Sequence, residues 1–387
     1  MLKLLTVIGA RPQIIKAAAL TRTIQKWNSS HCLEDRIAEV LLHTGQHYDD
    51  NMSGSFFKEL GIPEPDINLH VGSGTHGVQT ARMIEGIESA LMGQNFDGVV
   101  LYGDTNSTLA GAVAAAKLHI PVFHIEAGLR SFNMSMPEEQ NRIVCDRLSS
   151  VLFAPTQTAV DNLQNEGIGQ GSMRFSAGKK QKVVLSGDVM YDNSMYFSSV
   201  AEEKSNILQC LGIESKNFIL ATIHRDNNTD SRERLSSIFS ALLSVAQKQQ
   251  QPVVLPLHPR TRKMLPMNLS EELYKTIISS PLIKITEPAG FFDIMMLERH
   301  ASLVMTDSGG VQKEAFFFET PCVILRPEIE WVEIVDAGAG IIADADYNKI
   351  CSAADSLIGQ KVHFPQLFGN AHAAENILNE INAYLDN

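Results

Sequence analysis

Four acid–base side chains in this chain stand where a backbone turn follows a short apolar run or opens a helix. Asp104 lies in Gly103-Asp104-Thr105-Asn106-Ser107-Thr108, directly after the run Gly98–Tyr102. Glu126 follows Pro121–Ile125, and His224 follows Phe218–Ile223. Glu138 opens Pro137-Glu138-Glu139-Gln140-Asn141-Arg142. Carboxylates at strand ends are where raised pKa values and proton transfer are found, and a histidine can move protons near neutral pH. Each has a simpler role as well. Asp104 suits the N-cap of the next helix. Glu138 and Glu139 suit a first helical turn on dipole grounds, and His224 can be a loop histidine bonded to backbone. Glu126, placed straight after Val122-Phe123-His124-Ile125, is the hardest to explain as a solvated surface group.

A second set of residues can hold an anion. Leu303-Val304-Met305 ends in Thr306-Asp307-Ser308-Gly309-Gly310-Val311-Gln312-Lys313-Glu314, which reads as a strand, a polar turn and a helix start. Such a turn aims backbone N–H groups and a helix N-terminus at one point, Ser308 adds a hydroxyl, and Gly309 and Gly310 let a phosphate approach the main chain. An ordinary capped helix start explains the same residues. In Gly9-Ala10-Arg11-Pro12-Gln13, Arg11 stands at a strand end and Lys16 about one turn further on, two cations for a phosphate or carboxylate, or two exposed charges. GARPQ lacks the GxGxxG dinucleotide pattern, no HExxH or similar metal spacing occurs, and Ser308 lies in no GxSxG elbow. No metal or cofactor is expected.

These positions are informative because of the elements that carry them. Buried strands are expected at Leu2–Ile8, Glu39–His43, Gly98–Tyr102, Pro121–Ile125 and Val151–Phe153, and again at Phe218–Ile223, Val253–Leu257, Leu282–Ile285, Leu303–Met305 and Cys322–Leu325. Helical patterns lie between them: Ile14–Lys26, Gln79–Met92, Leu109–Leu118, Glu138–Ser149, Arg232–Gln247, Gly290–Arg299, Gly310–Phe317 and Lys349–Ile358. The alternation predicts an α/β protein of two doubly wound, Rossmann-like domains with parallel sheets. The expected division is residues 1–182 and 183–365, with the boundary in the polar stretch Gly167–Lys182. Residues 366–387 carry a last helix, Ala371–Leu385, that returns to the first domain. In open α/β sheets ligands bind beyond the carboxyl ends of strands, where the residues above lie.

Bulk composition agrees. A chain of 387 residues is long for one domain, and its 44% hydrophobic and 20% charged content is that of a globular protein. A net charge of −12 argues against nucleic acid or an anionic membrane as main partner. Five scattered cysteines form no CxxC pair and fit reduced thiols. Without a signal-peptide pattern or a long apolar segment, the expected setting is the cytoplasm, with no membrane insertion.

Taken in order, GARPQ (9–13), GDTNST (103–108), HIEAGLRS (124–131), PEEQNR (137–142), IHRD (223–226), HPRT (258–261) and TDSGGVQKEA (306–315) resemble the non-hydrolysing UDP-N-acetylglucosamine 2-epimerases, over residues 2 to 335 or so. The resemblance implies a GT-B-like fold with a central cleft for a UDP-sugar, a homodimer, and an isomerase that inverts C2 by expelling UDP and adding it back. It implies Asp104, Glu126, Glu138 and His224 as the acid–base set, and Arg11, Lys16, Ser308, Gly309, Gly310 and Glu314 as ligand contacts. Within the family, GARPQ, RSFNMSMPEEQNR, PLHPRTR, SGGVQKEAFFF and EWVEIV resemble the branch acting on UDP-2,3-diacetamido-2,3-dideoxy-glucuronate, which serves surface polysaccharides such as O-antigen and capsule. The chain departs from many members at Gln13, at Gln46-His47-Tyr48-Asp49, at Glu330-Trp331-Val332-Glu333 and at Gly369-Asn370-Ala371. A carboxylated sugar needs one more cation, for which Arg130, Arg142 and Arg260 are the candidates. The alternatives are a UDP-N-acetylglucosamine 2-epimerase making UDP-N-acetylmannosamine, a GT-B glycosyltransferase, and a nucleotide-sugar sensor without catalysis.

Overall fold

Near-continuous apolar runs such as Leu4–Ile8 and Gly98–Tyr102 are what a strand needs when helices cover both faces of its sheet, and both runs are fully or almost fully buried. The computed structural model describes all residues except 46–56, 58–59, 171–173, 176–177 and 387. The Gln46–Asp49 segment, one of the departures noted above, lies outside the described residues. Clustering by contact divides the chain into two units, Met1–Asn193 with Gln366–Asn387, and Ser194–Pro365.

The first unit holds β1 (Leu2–Ile8), β2 (Ile37–His43), β3 (Ile67–Asn68), β4 (Gly98–Tyr102), β5 (Val122–Ile125), β6 (Val151–Ala154) and β7 (Lys182–Leu185). All neighbouring pairs are parallel, in the order β3-β2-β1-β4-β5-β6-β7. The chain winds outward one way from β1 and then the other way from β4, so the topological switch lies between those two strands. The second unit repeats the plan with β8 (Ile219–Thr222), β9 (Val253–Pro256), β10 (Ile283–Thr286), β11 (Leu303–Thr306), β12 (Cys322–Ile324) and β13 (Gly340–Ile342), ordered β10-β9-β8-β11-β12-β13. Its switch lies between β8 and β11. Two doubly wound parallel sheets in one chain are the GT-B-like architecture that the sequence implies.

Two details differ from the sequence reading. β7 pairs with β6 from Val151↔Lys182 to Ala154↔Leu185, so it closes the first sheet and the change of unit falls later, within the helix Val189–Lys204. The short strands β3 and β13 were not legible, because two or three residues carry no usable period.

The last helix, Ala373–Asp386, belongs to the first unit and packs on the helix Arg11–Ser30. Its apolar stripe Ile377, Leu378 and Ile381 is buried, and Tyr384 meets Phe123 of β5 edge-on at 5.7 Å. Among the described residues no helix is long and apolar enough to cross a membrane.

Candidate active site

In the first unit the switch point is built from the ends of β1, β4 and β5. β1 and β4 run close together here: a Cβ on Gly9 would run into the side chains of Ser107 and Thr44. Gln13 ties the two ends. Its amide oxygen accepts from the N–H groups of Gly9 at 2.9 Å and Ala10 at 3.1 Å, and its amide nitrogen donates to Tyr102 O at 2.9 Å and Thr108 Oγ1 at 3.0 Å. Gln13 is therefore a buried brace whose amide uses both its donor and its acceptor. A carboxylate there would lose the bond to the Tyr102 carbonyl.

Four of the charged residues meet above this brace. Lys16 reaches from the helix Arg11–Ser30 and pairs with Glu126. Arg142 reaches from the helix Pro137–Leu148 and pairs with Asp104 at 2.5 Å, while its other nitrogen holds Glu139 at 2.9 Å. Asn141 on the same helix donates to Asp104 O at 2.9 Å. Burial pushes the Asp104 carboxyl above its usual range, against the cations Arg142 and Lys16, and the neighbouring Glu126 pushes the same way as burial. Glu126 is buried and has φ +68°, a left-handed conformation rare for a side chain of this kind. Such backbone persists where the surroundings over-determine it, which is common at functional sites.

The acids of the Pro137–Leu148 helix divide by role. Glu139 is buried and accepts from Ser131 N, Ser131 Oγ and Phe132 N at 2.9–3.0 Å, so it anchors the loop that precedes its own helix. Glu138, one residue earlier, is exposed on the first helical turn. Arg11 is exposed at the start of its helix, just beyond β1.

In the second unit the switch point is organised by Asp307, which directly follows β11 and is fully buried. Its carboxylate accepts from the backbone N–H of His224 at 3.1 Å, of Arg225 at 3.1 Å, and from Asn228 Nδ2 at 3.0 Å. The ring nitrogen Nδ1 of His224 lies 3.3 Å from the same carboxylate. Asp307 thus welds the loop after β8 to the turn after β11. Burial holds the His224 ring below the usual histidine range, helped by His258 and Arg225 and opposed by Asp307. The imidazole is then largely neutral at pH 7 and its tautomer is set by Asp307, leaving Nε2 for a ligand.

Ser308 caps the helix Gly309–Phe317, accepting from Val311 N at 3.5 Å. Gly309 and Gly310 form the first turn, with their N–H groups at the positive end of the helix. Beside them, Arg326 grips Glu330 through two contacts of 2.9 Å, and a Cβ on Gly309 would lie 3.5 Å from the Arg326 guanidinium. Burial works to raise the Glu330 carboxyl, but Arg326 carries it below its usual range. Glu314 lies one turn further along the helix and is partly buried.

The structure thus brings Lys16, Asp104 and Glu126 together in one unit and His224, Ser308, Gly309 and Gly310 together in the other. Arg142 was considered only for a further carboxylate and not as the partner of Asp104, and Asp307 as the organiser and the Arg326–Glu330 pair were not assigned site roles. Arg326 and Asp307 carried the available signal, since each follows a strand run within two residues. Of the three arginines considered for a further carboxylate, Arg130 is withdrawn: it is buried and already holds Asp146 at 2.8 Å and Glu166 at 2.6 Å. Arg142 is committed to Asp104 and Glu139, and Arg260 pairs with Asp230 at 2.5 Å in an exposed setting. Among the described residues no group of three or more His, Cys, Asp or Glu side chains is arranged for a metal ion.

The chain as a whole is similar to known proteins. Residues 31–382 match the family model described as UDP-N-acetylglucosamine 2-epimerase. The chain is 45% identical to the UDP-2,3-diacetamido-2,3-dideoxy-D-glucuronate 2-epimerase of Pseudomonas aeruginosa, over 97% of this chain and 98% of that one. The crystal structure of the Methanocaldococcus jannaschii UDP-GlcNAc 2-epimerase in complex with UDP-GlcNAc and UDP is 38% identical, with a TM-score of 0.83 over 99% of this chain and 100% of that one. The Neisseria meningitidis UDP-GlcNAc 2-epimerase bound to UDP-GlcNAc gives a TM-score of 0.81 at 26% identity, over 99% of this chain and 100% of that one.

Proposed function

This chain belongs to the UDP-N-acetylglucosamine 2-epimerase family, and we propose that it inverts C2 of UDP-2,3-diacetamido-2,3-dideoxy-glucuronate without hydrolysing it. The observation that carries the reaction is the pairing of Asp104 with Arg142 and of Glu126 with Lys16 at the switch point of the first sheet. The C2 proton of such a sugar is only weakly acidified, so direct deprotonation and reprotonation is slow. Elimination avoids the difficulty. A carboxylate removes the C2 proton, the C1–O bond breaks with its electrons going to UDP, and a glycal remains. Return of UDP to C1 and of a proton to the opposite face of C2 completes the inversion.

The residues of each unit are assigned roles by their chemistry. Asp104, Glu126 and Glu138 are the acid–base groups of the first unit, with Lys16 and Arg142 fixing two of them. In the second unit Ser308, Gly309 and Gly310 present a hydroxyl and helix N–H groups to the diphosphate, whose negative charge grows as the C1–O bond breaks. Arg11 adds a cation, neutral His224, with its Nδ1–H turned to Asp307, offers Nε2 as an acceptor for a ligand O–H or N–H, and the Glu314 carboxylate suits the ribose hydroxyls. The identity of 45% to the P. aeruginosa enzyme favours the carboxylated sugar.

The test is a side-by-side kcat/KM for UDP-N-acetylglucosamine and UDP-2,3-diacetamido-2,3-dideoxy-glucuronate in D2O, with C2 followed by NMR. The expected result is deuterium at C2 and a clear preference for the uronate. A tie or a win for UDP-N-acetylglucosamine makes the enzyme a UDP-N-acetylglucosamine 2-epimerase. Absence of exchange with either sugar overturns the elimination mechanism.

A further inference from the structure

Beneath Asp104 and Glu126 lies a buried charged chain that the reaction as described does not use. His124, on β5 two residues before Glu126, is fully buried. Its Nε2 is 2.8 Å from the carbonyl oxygen of Gly103, and its Nδ1 is 2.8 Å from Asp146 Oδ1. Asp146, also fully buried, accepts in addition from Arg130 at 2.8 Å and from Gly128 N at 3.3 Å. Arg130 continues to Glu166. Asp146 is therefore the shared acceptor of a chain that runs from His124 through Asp146 and Arg130 to Glu166.

Both partners of the ring are acceptors. A carbonyl oxygen and a carboxylate offer no proton, and a neutral imidazole has only one N–H. The two contacts are satisfied together only when both ring nitrogens carry hydrogen. A neutral ring would turn a lone pair toward one of the two oxygens, in a fully buried site where that contact is costly.

We propose that His124 is a positioning residue, held as an imidazolium, that locks the Gly103–Asp104 turn to the strand ending in Glu126. The backbone of Gly103 shows how. Its N–H donates to Ile125 O at 3.0 Å, and its carbonyl accepts from His124. Both polar groups of this one residue are thereby tied to β5, and Gly103 and Glu126, at the ends of adjacent strands, both have left-handed backbone. The separation of Asp104 and Glu126 is set by these bonds. Burial of the ring opposes its charge, but Cys145 and Asp146 from the helix Pro137–Leu148 more than offset it, and the ring titrates well above the usual histidine range. The inference rests on Asp104 and Glu126 being acid–base groups in the proposed reaction.

Two measurements test it. In the wild-type protein labelled at histidine nitrogen, both ring nitrogens of His124 should show protonated shifts that do not move between about pH 5 and about pH 8, where an ordinary histidine titrates. A ring that deprotonates in that window, or one nitrogen found unprotonated throughout, overturns the proposal whether or not any variant folds. The second measurement is turnover by H124Q, which keeps one donor. Misplacement of a reacting group by about 1 Å can cost about 100-fold, so kcat should fall by about 10–100-fold. KM and the dissociation constant for UDP should stay within about threefold, since the diphosphate cradle is in the other unit. Asp104→Asn separates the two levels of the argument. If D104N retains full activity, the acid–base reading fails. If D104N is inactive while folded H124Q turns over normally, the positioning role of His124 alone is refuted.

Discussion

Gly103→Ala is a one-carbon perturbation at the point where the turn, the ion pair and the buried histidine meet. Gly103 has φ +61°, so any side chain there incurs the left-handed penalty of roughly 1–2 kcal/mol. The added Cβ would stand 3.1 Å from Lys16 Nζ and 3.2 Å from Glu126 Oε2. Both are ends of flexible side chains, so they yield by a few tenths of an ångström and the fold survives. For a unit of this size a loss of 1 kcal/mol lowers Tm by roughly 2–4 °C, and the expected shift is about 2–8 °C. The effect on turnover should be larger than the effect on stability. The new carbon pushes on Lys16 and Glu126 and strains the turn that carries Asp104, and kcat should fall by about tenfold or more. UDP binding should be unchanged. The assay is C2 deuterium exchange in D2O beside a thermal melt and a UDP titration on the same preparation. An alanine variant that melts within about 1 °C of wild type and turns over normally would show that the left-handed turn and the Lys16–Glu126 contact are not what position the carboxylates. A variant that loses UDP affinity in proportion to kcat would refute the assignment of separate tasks to the two units.

Two further outcomes follow. Ser308→Ala removes a cap and a ligand hydroxyl; UDP affinity should fall by about tenfold, equivalent to about 1.4 kcal/mol, with C2 exchange at saturating substrate less affected, as read by titration calorimetry and exchange rates. Burial raises the Glu39 carboxyl to about 7 from 4.5, with Asp66 adding and Thr6 and Thr21 opposing. The folded state keeps this proton in the window between those values while the unfolded chain releases it. Stability should therefore decline as pH rises from about 4.5 to about 7, and Glu39→Gln should abolish that part of the slope in melts recorded across the window.

The sequence was informative where one residue type forces one geometry. The runs Leu2–Ile8 and Gly98–Tyr102 are strands at the predicted residues, because a doubly covered strand has to be apolar throughout. The polar groups after those runs fall at the switch points because the topology leaves open ends only there. Partnerships were not legible. Arg142 looks the same in the sequence whether it faces solvent, Glu139 or Asp104, and only folding shows that it holds both acids. Arg130 was a candidate ligand until burial and its two acidic partners removed it. His124 was counted as one residue of an apolar strand, and nothing local marks it as the centre of a charged chain, since Gly103 and Asp146 are about twenty residues away on either side. Gln13 marked a departure from the family pattern, and its four hydrogen bonds show it to be a self-sufficient brace.

The return of the last helix to the first unit has a consequence for how the protein is made. The second unit is an insertion: its residues, Ser194–Pro365, are all synthesised before the helix Ala373–Asp386 that completes the first unit. At about 5–20 residues per second, the ribosome needs about 10–40 s to travel from the end of β7 at Leu185 to Ala373. Throughout that interval the nascent first unit has its whole sheet but not the helix that packs on Arg11–Ser30 and brings Tyr384 to Phe123. The unit translated second can finish folding first, and the apolar seat for Ile377, Leu378 and Ile381 is the surface that a chaperone would have to shield in the meantime.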